Sequence, residues 1–252
     1  MNIAVITGAS SGLGYEYARE VYNTRADLDE IWVIARREDR LKSLQTELGS
    51  SIIPVAFDIT DSKSLENYVS LLKEKGATVK LLINNAGFGK LGNFDELSLE
   101  ENTAMVRLNC EALTAMTAAT LPFMDEKSEI VNSCSIASFA PNTRMAVYSS
   151  TKAYVMSLSR ALREELKPRK INVLAVCPGP MDTEFLSVAN IEKGASKTFD
   201  MLPRVNARVM AVKSLKASSK NKAVYTNRVF YKFYRILAKL LPHSLVIKMC
   251  GT

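Results

Sequence analysis

The sequence predicts a single α/β domain built on a doubly wound parallel sheet with helices on both faces. Three observations carry this expectation. Short apolar runs alternate with longer stretches of helical period along most of the chain. The runs are apolar at consecutive rather than alternate positions, as strands covered on both faces require. The 252 residues, 47% apolar and 23% charged, hold enough apolar surface for one large core, with no repeat, low-complexity stretch or linker to divide it. Right-handed crossovers between successive strands then produce the double winding.

Asn2–Thr7 is the expected first strand, and glycines at 8, 12 and 14 open a helix over 12–23. Glu30–Ala35 and a helix over 37–48 follow. Ile52–Phe57 leads to a helix over 62–75, which Asp61 or Ser62 caps through a side-chain oxygen and Gly76 stops. Lys80–Asn84 precedes a long helix over 100–121, Glu129–Ser133 precedes one over 147–167, and Ile171–Val176 is the sixth strand. The irregular stretch from Pro178 to Pro203 follows a strand's carboxyl end, where a substrate lid belongs, and residues 178–215 are assigned to it. Residues 226–252 form a basic helical extension.

The net charge of +7 is uneven. From Met201 onward there are 11 basic residues and no Asp or Glu, whereas the first 200 residues carry 22 basic and all 26 acidic side chains. Arg235, Lys239 and Lys248 interrupt the longest apolar runs, so no segment is expected to span a bilayer. Met1–Ile6 has neither a basic region nor a cleavage site, which predicts no signal peptide. Cys110, Cys134, Cys177 and Cys250 form no CxxC pair, which predicts reduced thiols and a cytoplasmic protein. The single His243 excludes a multi-histidine metal site, and no metal is expected.

Chemistry concentrates at the strand ends. Thr7-Gly8-Ala9-Ser10-Ser11-Gly12-Leu13-Gly14 lets backbone amides approach a pyrophosphate at a helix N-terminus, where the dipole favours an anion. Tyr148 and Lys152 lie one helical turn apart on one face. A tyrosine hydroxyl, with a reference pKa of about 10, is a poor proton shuttle at neutral pH. A neighbouring ammonium that stabilised the phenolate by roughly 3–4 kcal/mol would lower it by about 2–3 units.

The TGxxxGxG spacing resembles the short-chain dehydrogenase/reductase family, and further motifs follow in that family's order. They are Asn84-Asn85-Ala86-Gly87, Asn109, Ser135, the Tyr148/Lys152 pair, and Cys177-Pro178-Gly179 with Thr183, together spanning roughly residues 1–183. The resemblance implies a Rossmann-like fold and hydride transfer between a nicotinamide and a carbonyl or secondary alcohol. It assigns proton donation to Tyr148, carbonyl polarisation to Ser135, nicotinamide-ribose binding and pKa tuning to Lys152, and a water relay to Asn109. Cofactor contacts are expected from Gly8, Ser10, Ser11, Gly12, Leu13, Gly14, Asn85, Ala86, Gly87, Pro178, Gly179 and Thr183, with Asp58 at the adenine. Arg36 and Arg37 end the second strand, where an acid would select NAD; they favour NADP(H), since a guanidinium fork suits a 2′-phosphate.

Phe139, Met145, Phe185, Leu186 and Met201 hint at an apolar substrate: a hydrophobic ketone, aldehyde, steroid or 3-oxoacyl compound. A non-catalytic NADP-binding sensor, or a membrane-docked regulatory protein on the same fold, is the alternative. The resemblance further implies a homo-oligomer, dimer or tetramer, paired through the helices at 100–121 and 147–167. Residues 227–241 place Arg228, Lys232, Arg235 and Lys239 on one stripe of a helix, with apolar side chains over most of the rest. Two readings stay open: packing on the domain or a sister subunit, and peripheral contact with an anionic membrane or a lipid-like substrate. No nucleic-acid motif accompanies the charge, so no nucleic-acid partner is expected.

Overall fold

The computed structural model describes residues 1–191, 194 and 196–249; Cys250 lies outside the described residues. In chain order the elements are β1 (Asn2–Thr7), α1 (Gly12–Thr24), β2 (Glu30–Ala35), α2 (Glu38–Leu48), β3 (Ile52–Ala56), α3 (Ser62–Glu74) and β4 (Thr78–Asn84). Then come α4 (Leu99–Val106), a π-helical segment (Arg107–Ala112), α5 (Leu113–Thr120), β5 (Glu129–Ser133), α6 (Ala146–Glu165) and β6 (Asn172–Val176). The chain continues through α7 (Glu184–Val188), α8 (Lys197–Met201), α9 (Ala207–Ser219), β7 (Val224–Tyr225), α10 (Val229–Leu240) and α11 (His243–Met249).

The strands form one parallel sheet in the order β3-β2-β1-β4-β5-β6-β7. Consecutive residues of a strand point to opposite faces. Ala4 and Ile6 of β1, with Val33, Ile83, Val131 and Leu174, meet Tyr17, Leu41 and Met210 on one face. Ile3 and Val5, with Trp32, Ile34, Leu82 and Ile130, meet Tyr68, Leu72 and Met116 on the other. Both faces are covered, so the strands are apolar at every position rather than alternating.

Three details depart from the sequence expectation. β7 is a seventh strand, too short at two residues to register as an apolar run. The helix over 100–121 is interrupted by the wide π turn carrying Asn109. Residues 207–215, assigned above to a lid, belong instead to α9, which packs against α1 and buries Met210, Ala211 and Ser214. The remaining expected boundaries fall within two residues of the observed ones, and Asp61 caps α3 by accepting from the Ser64 amide at 2.8 Å.

Tyr17 of α1 and Ser214 of α9 share a buried hydrogen bond of 2.8 Å. Tyr17→Phe is expected to lower unfolding stability by about 1 kcal/mol, the ordinary worth of such a bond, read as a shift in the urea midpoint at constant slope.

Candidate active site

β1 lies between β2 and β4, so the crossovers leave it in opposite directions. The crevice at such a switch point opens at the carboxyl ends of the strands. Here it is a cavity of about 1380 Å³, lined at one end by the Gly8–Leu13 loop, Arg36, Arg37 and Asp58, and at the other by Ser135, Tyr148 and Phe185, with Phe233 also in its lining.

At the first end the backbone itself forms the cradle. Gly8 has φ +67, a left-handed conformation, and a Cβ there would come within 2.8 Å of the Ala86 Cα. Ser11 precedes α1 with an extended backbone and no side-chain cap bond, and the first turn carries no acidic residue. The first-turn amides are thus left for an anion, where the helix dipole also favours one. The Thr7 hydroxyl accepts from the amides of Asn85 (3.0 Å) and Ala86 (3.1 Å), while Asn85 Nδ2 donates to the Gly8 carbonyl (3.3 Å). Ser133 Oγ donates to Asn85 Oδ1 at 3.0 Å. The Gly-rich loop, the β4 end and the β5 end are therefore bolted together through short polar side chains. Thr183 packs against Gly12, with its Cβ 3.3 Å from where a Gly12 Cβ would sit.

Asp58 accepts from the Thr60 amide (2.9 Å) and hydroxyl (2.7 Å). Burial pushes its carboxyl up, but these bonds and the nearby Arg36 charge outweigh it and hold the pKa below its ordinary value. Arg36 is exposed and lines the cavity, and its side chain makes no hydrogen bond or ion pair among the described residues. Arg37 is engaged: it donates to Ser10 Oγ (3.0 Å) and pairs with Glu184 of α7 (2.8 Å). The two neighbouring arginines thus differ, one free to face a ligand and one strapping α7 across the crevice. These groups fit a dinucleotide bearing a phosphate near Arg36: orphan helix amides, a glycine cradle and an uncommitted guanidinium.

At the other end α6 brings Tyr148 and Lys152 to one buried face, 7% and 5% exposed, and β5 delivers Ser135. Ser135 Oγ accepts from the Ala137 amide at 3.1 Å and is hydrogen-bonded to the Tyr148 hydroxyl. Lys152 Nζ donates to the Ser133 carbonyl at 2.8 Å and lies 5.8 Å from the centre of the Tyr148 ring. The sequence led to the expectation that this ammonium lowers the Tyr148 pKa. In the structure the phenol is pushed well above its usual value by burial, against which the Ser135 bond acts only in part. Burial likewise pushes the Lys152 ammonium down. Desolvation is the largest cause for each of the two buried groups, the physical reason for the difference.

Asn109 is buried in the π turn. Its Oδ1 accepts from the Phe88 amide (3.0 Å), and its Nδ2 donates to the Phe88 carbonyl (2.8 Å) and Thr151 Oγ1 (3.1 Å). Gly87 closes against it, since a Cβ there would lie 2.8 Å from Asn109 Oδ1 and 3.4 Å from Lys152 Nζ. Pro178 and Gly179 border the same end, with the Pro178 carbonyl accepting from the Ile136 amide at 3.1 Å.

Several participants went unread in the sequence. Gly89 lets the Tyr148 ring approach the backbone: a Cβ there would be 2.8 Å from Tyr148 Cδ2. Phe88, Leu108, Phe199 and Leu202 line the cavity, as do Met145, Phe185, Leu186 and Met201 of the expected set. Phe139 does not; it stacks on Tyr234 at 5.8 Å between ring centres, because its side chain points toward α10 rather than the crevice. Only the Thr7 motif position and the apolar character of these residues were visible beforehand.

Known proteins place this geometry. A family model for short chain dehydrogenases matches residues 2–194. The chain is 33% identical over 189 residues to an NADP-dependent 3-hydroxy acid dehydrogenase of Schizosaccharomyces pombe, covering 72% of each chain. It is 34% identical over 190 residues to a serine 3-dehydrogenase of Agrobacterium fabrum, covering 73% of this chain and 74% of that one. A short-chain dehydrogenase of Sphingobium yanoikuyae, solved in complex with NADPH, superposes with a TM-score of 0.78 at 28% identity over 96% of this chain and 97% of that one. Matched over three quarters of its length and built on the same parallel sheet, the chain belongs to the short chain dehydrogenase family of oxidoreductases acting on CH–OH groups.

Proposed function

We propose that the protein is an NADP(H)-dependent oxidoreductase that reduces the carbonyl of an apolar substrate: a hydrophobic ketone, aldehyde, steroid or 3-oxoacyl compound. The observation that carries the substrate class is the lining around Tyr148. Phe88, Met145, Phe185, Leu186, Phe199 and Met201 surround that end of the cavity. The cations beside them, Lys90 and Arg107, are engaged with Glu101 (3.6 Å) and Glu100 (3.4 Å). Among the described residues, a small hydroxy acid, such as the names of the two relatives indicate for them, would find both of these cations already paired with acids.

The nicotinamide supplies or accepts the hydride. The chain's own groups do the rest. Ser135 holds the substrate oxygen through Oγ, and Tyr148 gives that oxygen a proton. Lys152, with one of its three donors on the Ser133 carbonyl, has two left for ribose hydroxyls, and its ammonium stabilises the phenolate that proton transfer leaves behind. Asn109 fixes the Phe88 backbone and Thr151, and through them the floor of the site. The Ser135–Tyr148 hydrogen bond favours turnover over a purely sensing role, which needs no proton donor.

Arg36 and the Gly8–Gly14 cradle support NADP(H), as do the NADP-dependence and bound NADPH of the relatives. Arg36→Asp is expected to raise KM for NADPH at least about tenfold and reverse the preference toward NADH, since a carboxylate repels a 2′-phosphate. An unchanged preference in steady-state kinetics would place the 2′-phosphate elsewhere. The reaction itself is tested by following NADPH absorbance with a carbonyl panel. Turnover of long-chain or polycyclic ketones supports the reading, and turnover confined to short hydroxy acids overturns the substrate class. Exposed Leu99 and Val106 on α4 and Tyr154 on α6 support pairing of two copies across those helices.

A further inference from the structure

We propose that α10 docks the protein on an anionic lipid bilayer, with the mouth of the substrate cavity turned toward the membrane.

Helical positions advance by about 100° per residue, which sorts α10 into distinct faces. One narrow face is buried: Tyr231 and Ala238, 0% and 4% exposed, with Tyr234 and Leu241 packed beside Phe139, Ala140 and Val246. On the opposite side Val229, Phe233, Ile236 and Leu240 form an apolar stripe that is 80%, 62%, 57% and 77% exposed. Arg228, Lys232, Arg235 and Lys239 flank it on a third face. An amphipathic surface helix ordinarily turns its apolar stripe inward. Here the larger apolar stripe points away from the core.

The helix is not a detachable tail. The Tyr231 hydroxyl donates to the Pro203 carbonyl at 2.7 Å, and its ring rests on Gly179, where no side chain fits beneath it. Arg228 donates to the Arg204 carbonyl at 2.7 Å. The apolar stripe is therefore held at a set angle to the crevice. Phe230 and Leu237, between stripe and core, and Phe233 of the stripe all line the cavity. The exposed apolar surface is continuous with the cavity mouth.

Charge selects the occupant. No Asp or Glu occurs after Asp200, and 11 basic residues do. A second copy seated on this face by a twofold axis would bring one basic stripe near another, and α10 itself carries no acid to offset it. A bilayer of acidic lipids offers what the face lacks: phosphates for the basic stripe and an acyl boundary for Val229, Phe233, Ile236 and Leu240. Among the described residues no helix is long and apolar enough to cross a membrane, so the contact is peripheral. Docking stands on α10 alone. That an apolar substrate moves from the bilayer into the cavity rests on the proposed reaction.

The test is flotation of the full chain with vesicles of phosphatidylcholine containing about 30% phosphatidylglycerol, against phosphatidylcholine alone. Binding to the acidic vesicles is expected to be at least about tenfold tighter and to weaken as salt is raised. The double variant Ile236→Asp/Leu240→Asp, outside the cavity lining, is expected to bind at least about tenfold more weakly while keeping the native circular dichroism spectrum and turnover of a water-soluble carbonyl. Lys232→Glu/Lys239→Glu is expected to abolish the preference for acidic lipid. Absence of flotation with acidic vesicles, or equal flotation of wild type and both variants, overturns the proposal. So does a dimer in size-exclusion chromatography that the aspartate variant splits without any vesicle binding, which would assign the face to a second copy. Flotation needs no turnover, so failure of the proposed reaction would leave this result standing.

Discussion

Tyr148→Phe is expected to reduce kcat for carbonyl reduction by about a thousandfold or more, some 4 kcal/mol of transition-state stabilisation, while changing cofactor affinity less than about threefold. The separation follows from the packing. The ring keeps its place against Phe185, 5.6 Å between centres, and against the Gly89 backbone, so only the hydroxyl and its bond to Ser135 are lost. Single-turnover kinetics with NADPH, beside cofactor titration by fluorescence, measures both quantities. Turnover within about tenfold of wild type would remove Tyr148 as the proton donor. The pH dependence has a definite sign. Burial raises the phenol's pKa, so the hydroxyl keeps its proton through neutral pH. Reduction, which needs the acid form, is expected to stay flat from about pH 6 to about pH 8, and alcohol oxidation, which needs the phenolate, to rise with pH.

Gly14→Ala is expected to have the second-largest effect, at least about a hundredfold loss of NADPH affinity with about 1–3 kcal/mol of lost stability. A Cβ at residue 14 would fall inside the van der Waals shell of the Gly8 carbonyl oxygen and 2.6 Å from Asn85 Nδ2. Backbone cannot rotate away as a side chain can, so the loop that approaches the phosphates must move. Gly76→Ala is the control: with φ +55 but no heavy atom within 4 Å of a built Cβ, it carries only the cost of a left-handed alanine and leaves cofactor affinity unchanged. Isothermal titration and thermal melts of the two variants distinguish a packing constraint from general glycine flexibility. Equal affinity loss in both would sink the distinction.

The legible part of this site was local. Gly8, Gly12 and Gly14 fall within one turn, and Tyr148 and Lys152 within another, so chain spacing alone puts each set on one loop or one helix face. Thr7 and Asn85 stand within motifs, yet their partnership is a contact between β1 and the end of β4, closed by a hydroxyl and two amides. Phe139 and Phe185 look alike in sequence; strand and helix geometry sends one to α10 and the other to Tyr148. Arg36 and Arg37 are adjacent, and only the approach of Glu184 on α7 makes one a strap and leaves the other open. Cys134 and Cys177, far apart in the chain, directly follow the neighbouring strands β5 and β6, and the Cys134 amide donates to the Val176 carbonyl at 2.8 Å.

By itself the sequence determined the doubly wound sheet, the motif order of the family and the identity of the reactive groups, because each depends on residue type and short-range spacing. Only the tertiary structure decided the electrostatic state of Tyr148, which follows from how many atoms bury it. It also decided which way α10 turns. The helix carries enough apolar residues for two faces, and the fold has room for one: Tyr231 and Ala238 fill the space above Gly179 and Ala140, leaving Val229, Phe233, Ile236 and Leu240 outside. Amphipathicity is a property of the chain, whereas the direction of its apolar face depends on contacts made across the whole domain.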